Sequence, residues 1–433
     1  YTGPNRAEVL AMRRQFCNPA IFTHYAEPLM IVEGWKQWLF DETGRRYLDL
    51  FAGIVTVSCG HSHPKVVQAM QEQIATLTHT TTIYLHPNFP AFAKRLAAKM
   101  PEGLDVTYFT NSGSEANDLA MLMARLHTGN FDLIALQNCY HGGSWSTMGL
   151  TSHHTWKYPI PQGFGVHHAP TPDPYRSRFR GTPEEIAHQA AEAVRDLIRF
   201  ATPGKVAGFI AEPIQGVGGA TMPAPNYFKE VYAIIRESGG VCIADEVQTG
   251  FGRTGDHFWG FQNFDVVPDI VTMAKGIGNG APLGAVTTTS AIARSMAQRI
   301  HFNTFGGNPV SMAAGLAVLD VIEQEELQKN ARVVGGRFKA GLERLAQRHR
   351  LIGEVRGKGL MLGVDLVRDR ATKEPATQET KDVVEHAREM GVLLGKGGLF
   401  GNVLRIKPPM CITAEDVDFA LAVLDEAMGR VER

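Results

Sequence analysis

Val241-Cys242-Ile243-Ala244-Asp245-Glu246 and Ile270-Val271-Thr272-Met273-Ala274-Lys275-Gly276 are the two stretches on which the fold turns. Each is a short apolar run that stops abruptly at an ionisable residue, as a buried strand does where it leaves a sheet. Three more runs end in the same way. Val106-Thr107-Tyr108-Phe109 leads into Asn111-Ser112-Gly113-Ser114-Glu115, and Leu133-Ile134-Ala135-Leu136 into Tyr140-His141-Gly142-Gly143. Val206 through Ala211 ends at Glu212-Pro213. Ligands of open α/β sheets bind outside the carboxyl ends of the strands, so five such ends form one crevice.

The residues at these ends suggest a chemistry. A lysine and an aspartate, each at the end of a buried strand, suit a site that forms a Schiff base with pyridoxal phosphate. The Lys275 amine forms the imine, and the Asp245 carboxylate holds a proton on the pyridine nitrogen. A charge buried alone is costly, and a pyridinium would be the partner Asp245 needs. The plainer reading is an aspartate that caps a helix. Ser112-Gly113-Ser114 opens the helical pattern Glu115 to Leu126, which carries Ala116, Leu119, Ala120 and Met123 on one face. Its first amides could cradle a phosphate. Ser112 with Glu115 is equally the S-x-x-E capping box, a structural start signal. Tyr140 could stack on a flat ring or simply pack.

The organisation falls into three zones. Residues 1–58 alternate apolar and polar positions around Gly34 and Gly44, as a small turn-rich β segment does. Residues 59–305 alternate apolar runs with helical patterns, which implies a large domain with a mostly parallel central sheet and helices on both faces. Residues 306–433 read as a smaller α+β C-terminal domain. Helices are expected at Val310 to Ile322, Leu327 to Arg348 and from Ala414, and strands at Leu360 to Val367 and Val403 to Ile406. Residues 151–182, rich in Pro, His and Gly, read as an irregular excursion.

With Leu48-Asp49, Gly60-His61-Ser62-His63-Pro64, the string from Asp245 to Gly280 and Arg405-Ile406-Lys407-Pro408-Pro409, the chain resembles the class III aminotransferases of fold-type I. Within them it is most similar to the mitochondrial, second-type alanine–glyoxylate branch. The resemblance implies pyridoxal 5'-phosphate as cofactor, with Lys275 as imine-forming lysine and proton shuttle and Asp245 as the pyridinium partner. It implies Gln248 as donor to the ring 3-hydroxyl, and Val247 and Tyr140 on the two ring faces. Ser112, Gly113 and Ser114 are expected at the phosphate, with His141 and Glu212 completing the cofactor site. Thr304 resembles a threonine that reaches the phosphate from a neighbouring subunit, which implies a homodimer or homotetramer. Arg405 resembles the arginine that binds the substrate carboxylate. One departure matters: many relatives read E-P-I-Q-x-E, but Glu212-Pro213-Ile214-Gln215-Gly216 is followed by Val217.

The implied reaction moves an amino group from alanine or a related amino acid to glyoxylate or pyruvate. The alternatives within the family are β-amino acids such as β-aminoisobutyrate and ω-amines as donors. Two more distant rivals are a nicotinamide dehydrogenase and a catalytically silent cofactor-binding regulator. Gly276-x-Gly278-x-x-Ala281 matches a dinucleotide fingerprint, but Pro282 and Gly284 follow and no helical pattern opens there. Intact Lys275, Asp245, Gln248 and Arg405 argue against silence. The histidine pairs at 61/63, 153/154 and 167/168 lack an accompanying Cys or acid set, so no metal is expected. With 43 basic and 44 acidic residues, nothing favours nucleic acid or an anionic membrane. No apolar run approaches the roughly 20 residues of a membrane span. Five scattered cysteines without C-x-x-C spacing suggest a reducing compartment. A start at Tyr1 leaves room for a removed leader, so the cytoplasm of a bacterium and the mitochondrial matrix are both compatible locations.

Overall fold

The computed structural model describes every residue from Tyr1 to Arg433. Near the N-terminus, Ile31–Trp35 (β1), Trp38–Asp41 (β2) and Arg46–Asp49 (β3) form an antiparallel ladder. The seven strands that follow make the central sheet. They are Leu104–Thr110 (β4), Leu133–Leu136 (β5), Val166–Ala169 (β6), Gly208–Ala211 (β7), Val241–Asp245 (β8), Ile270–Met273 (β9) and Gly284–Thr289 (β10). Their order is β4-β10-β9-β8-β7-β5-β6. β10 alone runs against the rest, wedged between β4 and β9. All other pairings are parallel, so the carboxyl ends of β4, β5, β7, β8 and β9 emerge on one side.

Both faces of this sheet are covered, which is why its strands read as unbroken apolar runs. Ile243, Ile270 and Val286 enter a core shared with Ala116, Ala120 and Met123 of the helix Gly113–Thr128. The helix Pro183–Ala201 joins the same core through Ile186, Ala190, Val194 and Ile198, a helical stripe. Thr182 and Glu185 close a capping box at its start, with Pro183 in the first turn. Ala244, Val271, Met273 and Ala285 face the opposite way and join the core of the C-terminal helices.

The C-terminal strands are Ile352–Lys358 (β11), Met361–Asp369 (β12), Glu374–Pro375 (β13), Val392–Leu393 (β14), Gly395–Gly397 (β15) and Val403–Ile406 (β16). Most form one sheet in the order β11-β12-β16-β15, with β13 added to β12. β14 instead lies parallel to β3, so the strands nearest the N-terminus are completed by one close to the C-terminus. Helices Pro309–Gln324, Leu327–Arg348 and Ala414–Glu432 lie where periodicity places them.

Three local expectations change. Residues 6–16 form a helix rather than part of a β segment, started by a capping box of Asn5 and Glu8. Its buried side is empty of core residues, so no apolar stripe announces it. The excursion at 151–182 contains β6, the edge strand, whose Val-His-His-Ala sequence lacks an apolar run. At the third site, Ser112 does cap the helix Gly113–Thr128, its Oγ accepting from the Glu115 amide at 3.2 Å. The reciprocal arm is diverted, however, because Glu115 Oε2 accepts from Asn111 N (3.1 Å) and from Asn303 Nδ2 (3.0 Å). The glycine-rich stretch after Lys275 forms only a short turn, Lys275–Ile277, before β10, so no helix is present to receive a pyrophosphate.

Two adjacent glycines in the helix Leu327–Arg348 predict opposite outcomes. A Cβ at Gly335 would lie 2.3 Å from the Gly359 carbonyl oxygen, whereas one at Gly336 would meet nothing within 4 Å. Gly335→Ala should therefore cost about 1–3 kcal/mol through forced displacement of packed backbone. Gly336→Ala should gain about 0.5–1 kcal/mol of helix propensity. Denaturant unfolding of the two variants measures both signs.

Candidate active site

Asp245 ends β8 and is buried, 3% exposed. Burial alone would raise its pKa, but three donors outweigh that and hold it below the usual carboxylate range. His141 Nδ1 bonds Oδ2 at 2.7 Å, Asn117 Nδ2 donates to the same oxygen at 2.9 Å, and the Val247 amide donates to Oδ1 at 3.1 Å. For His141, burial opposes the charge, yet Cys139 and Asp245 outweigh it and raise its pKa well above the ordinary value. His141 thus stands behind Asp245. The sequence marks Asn117 only weakly, as a lone polar residue on the buried face of the helix Gly113–Thr128.

Lys275 follows β9 with φ +51°, the left-handed region that a non-glycine residue adopts at a cost of order 1 kcal/mol or more. The loop behind it enforces this. Asn279 Nδ2 donates to the Gly60 carbonyl at 2.9 Å, and the Cys59 amide donates to Asn279 Oδ1 at 2.8 Å. A Cβ at Gly276 would sit 2.6 Å from Ser58 Oγ. Burial lowers the Lys275 pKa and nearby Arg405 adds to this, while Asp245 and Glu212 oppose it. An amine eased toward its neutral form is the state a nucleophile or base needs.

Gly113 packs so closely on Val247 that a Cβ would reach both valine methyls at 3.2 Å. This brings the start of the helix Gly113–Thr128 against the loop after Asp245. The glycines at 142–143 close over Ser114, whose Oγ accepts from the Gly143 amide at 3.1 Å. Tyr140 presents its ring to Trp156 in a T-shaped contact of 5.1 Å between centroids. Glu212 is buried and its pKa is raised by that burial; Oε1 accepts from the Tyr140 amide at 3.0 Å and Oε2 from the Gly216 amide at 2.7 Å.

Arg405, on β16, is buried over the Phe51 ring, its guanidinium carbon 5.1 Å from the centroid. Its Nε and one Nη find no partner. Burial lowers its pKa to about 10, with Glu212 opposing through space. It lines a cavity of about 1000 Å³ together with Val217, Trp156, His153 and Lys396. Gln248 is also buried, and Lys407 Nζ donates to its Oε1 at 3.0 Å. Thr304 differs from the rest. It is exposed on the surface of the single chain, beside the Asn303 that ties its loop to Asn111 and Glu115. The expected histidine pairs meet single partners: His61 bonds Asp49, His63 bonds Glu325 and His167 bonds Asp132.

A sheet crevice holding a lysine, a clamped aspartate and an unpaired arginine is matched by a known family. Residues 22–428 match the family described as aminotransferase class-III. The chain belongs to this family. Among curated relatives, it is 53% identical to "Alanine--glyoxylate aminotransferase 2 homolog 2, mitochondrial" of Arabidopsis thaliana, over 100% of this chain and 89% of the relative. Among solved structures it is similar to a phospholyase from Arthrobacter in complex with phosphoethanolamine, at 36% identity and TM-score 0.91, covering 97% of this chain and 99% of that one. It is likewise similar to an amine transaminase from an uncultivated Pseudomonas species in the PLP-bound form. That match has 31% identity and TM-score 0.89, over 96% of this chain and 98% of that one.

The fold is thus that of fold-type I, and the cofactor of a class-III aminotransferase is pyridoxal 5'-phosphate. The residues present fit that group. A carboxylate clamped in its charged form, a helix start pressed on Val247 through Gly113, and a lysine restrained by its backbone all converge on one crevice.

Asp245→Asn keeps this shape and removes the charge. Turnover should fall at least about a hundredfold, the scale of losing one preorganised electrostatic group. Steady-state kinetics at saturating cofactor checks this, and near-normal turnover would refute the role.

Proposed function

We propose that the chain moves the amino group of alanine, or of a short β-amino acid such as β-aminoisobutyrate, to glyoxylate or pyruvate. The observation that carries this is Arg405, a buried guanidinium with two unpartnered nitrogens in a cavity where Val217 offers no carboxylate. Glu212 accepts from the Tyr140 and Gly216 amides and makes no hydrogen bond to the two unpartnered Arg405 nitrogens. A donor that carries a carboxylate close to its reacting carbon satisfies Arg405. Ornithine through its distal amine, or γ-aminobutyrate, leaves it unpaired. The name of the Arabidopsis relative supports the same donor and acceptor and a mitochondrial location.

When bound, pyridoxal phosphate supplies the carbonyl that takes up the amine and a ring that withdraws electrons from the substrate carbon. Lys275 would hold the cofactor through its amine and would move a proton at the substrate carbon. Asp245 would hold the ring nitrogen, and His141 and Asn117 keep its carboxylate charged. The amides of Gly113 and Ser114, beside Ser112, hold the phosphate. Val247 and Tyr140 would cover the ring faces, and Gln248 would donate to the ring 3-oxygen. Glu212 secures Tyr140 and Gly216. Thr304 serves the phosphate of a neighbouring subunit, so the active unit is a homodimer or homotetramer.

Borohydride reduction followed by peptide mass spectrometry should leave the cofactor on Lys275; attachment at any other lysine would sink the assignment. Full activity in a verified monomer would overturn the role of Thr304.

A donor panel against glyoxylate and pyruvate tests the substrate. Ornithine and γ-aminobutyrate should trail alanine by roughly 30-fold or more in kcat/KM, the cost of one desolvated unpaired charge. Arg405→Ala should weaken alanine by a similar factor and simple amines far less. Ornithine outrunning alanine, or phosphate release from phosphoethanolamine outrunning transamination, would overturn the reading.

A further inference from the structure

Lys407 follows β16 and has no solvent exposure at all. Its backbone amide donates to the Leu50 carbonyl at 2.7 Å, which fixes the residue against the N-terminal segment. Its Nζ donates to Gln248 Oε1 at 3.0 Å and to the Gly216 carbonyl at 3.1 Å, and neither acceptor carries a charge. The charged groups that face it are Arg405, Glu212, Lys275 and Arg253, three of them cations. Burial first, and then Arg405, pushes its pKa well below the ordinary lysine value. A buried amine without an acid partner is costly, and an apolar side chain of similar volume would pack there at lower cost. Packing therefore does not account for Lys407.

We propose that Lys407 is a positioning residue that locks the Gln248 amide, holding Oε1 so that Nε2 is the atom turned toward the cofactor ring. A glutamine amide can flip, and only its oxygen can accept a proton from an ammonium or amine. Once Oε1 is taken by Lys407, the donor end has only the other side to face. Gly216 completes the clamp. A Cβ there would lie 2.3–2.4 Å from Gln248 Oε1, Cδ and Nε2, so the amide lies flat on bare backbone. The Gly216 amide is itself held by Glu212 at 2.7 Å. Glu212, Gly216, Lys407 and Gln248 thus form one unit, and releasing Lys407 frees the amide to present its oxygen to the ring oxygen. The inference rests on the reading above that Gln248 donates to the 3-oxygen of pyridoxal phosphate.

A donor at the ring oxygen stabilises its anionic form and so eases loss of the proton it shares with the imine nitrogen. The visible absorption band of the cofactor-loaded protein reports that proton. In Lys407→Met the band should titrate at a pH higher by about one unit, the scale of one hydrogen bond to a charged group. Cofactor binding by the apoprotein, followed by equilibrium dialysis, should weaken about tenfold, the same free energy. Removing a nearby cation also favours the protonated form by itself, so a double-mutant cycle with Gln248→Leu decides the route. The part of the Lys407→Met shift that runs through Gln248 should vanish in the double variant, which should differ from Gln248→Leu by less than half of the shift that Lys407→Met causes alone. A Lys407→Met titration that coincides with the wild type, or a shift that adds in full to that of Gln248→Leu, would overturn the proposal. Should Lys407→Met fail to fold, Lys407→Gln keeps a donor without charge, and its coupling to Gln248→Leu is judged in the same way. A wild-type protein with no visible band would instead defeat the cofactor reading itself.

Discussion

The Asp245 carboxylate is the constraint around which the molecule is arranged. A charge at the end of a fully buried strand survives only if its oxygens are satisfied, and here three donors from three separate segments satisfy them. Meeting that demand fixes the helix Gly113–Thr128 through Asn117, the loop after β5 through His141, and the turn after β8 through Val247. The same three segments carry Gly113 and Ser114, Tyr140, and Gln248. Holding the acid in its charged form therefore also brings together the residues proposed to hold the cofactor.

Beyond Asp245, the crevice is dominated by cations kept from water. Arg405, Lys275, Lys407 and Arg253 all have their pKa values lowered by burial. Glu212 is the acid that Arg405, Lys275 and Lys407 share through space, and both its oxygens already serve backbone amides. Two Arg405 nitrogens are thereby left without a partner. Val217 preserves this state by withholding the acid that would neutralise Arg405 from within.

Much of this was legible in the chain because it is local. The strand ends at Asp245 and Lys275 show as apolar runs cut off by charge, and the helix Leu327–Arg348 shows by its period alone. What stayed hidden depends on partners distant in sequence. Asn117 looks like an interruption of an apolar face until Asp245 is brought to it. Phe51 lies far from the arginine it underlies, and Lys407 sits in a recognisable string in which only Arg405 attracts notice. The β6 edge strand and the helix Arg6–Phe16 carry no strong hydrophobic pattern, because neither is buried on both sides.

The pairing of β3 with β14 ties the first strands of the chain to a segment made almost last. During synthesis the ribosome releases Leu48 and Asp49 long before Val392 and Leu393 exist to cover them. Until then β3 has an open edge, with its amides and carbonyls free to find the wrong partner. Arg253 compounds the delay, since its guanidinium bonds Ser58 Oγ and the carbonyls of Leu360 and Pro408, and so cannot settle before the C-terminal lobe arrives. Contacts this distant make folding slow relative to local helix formation. The N-terminal ladder is thus a seam that closes only when β14 has formed.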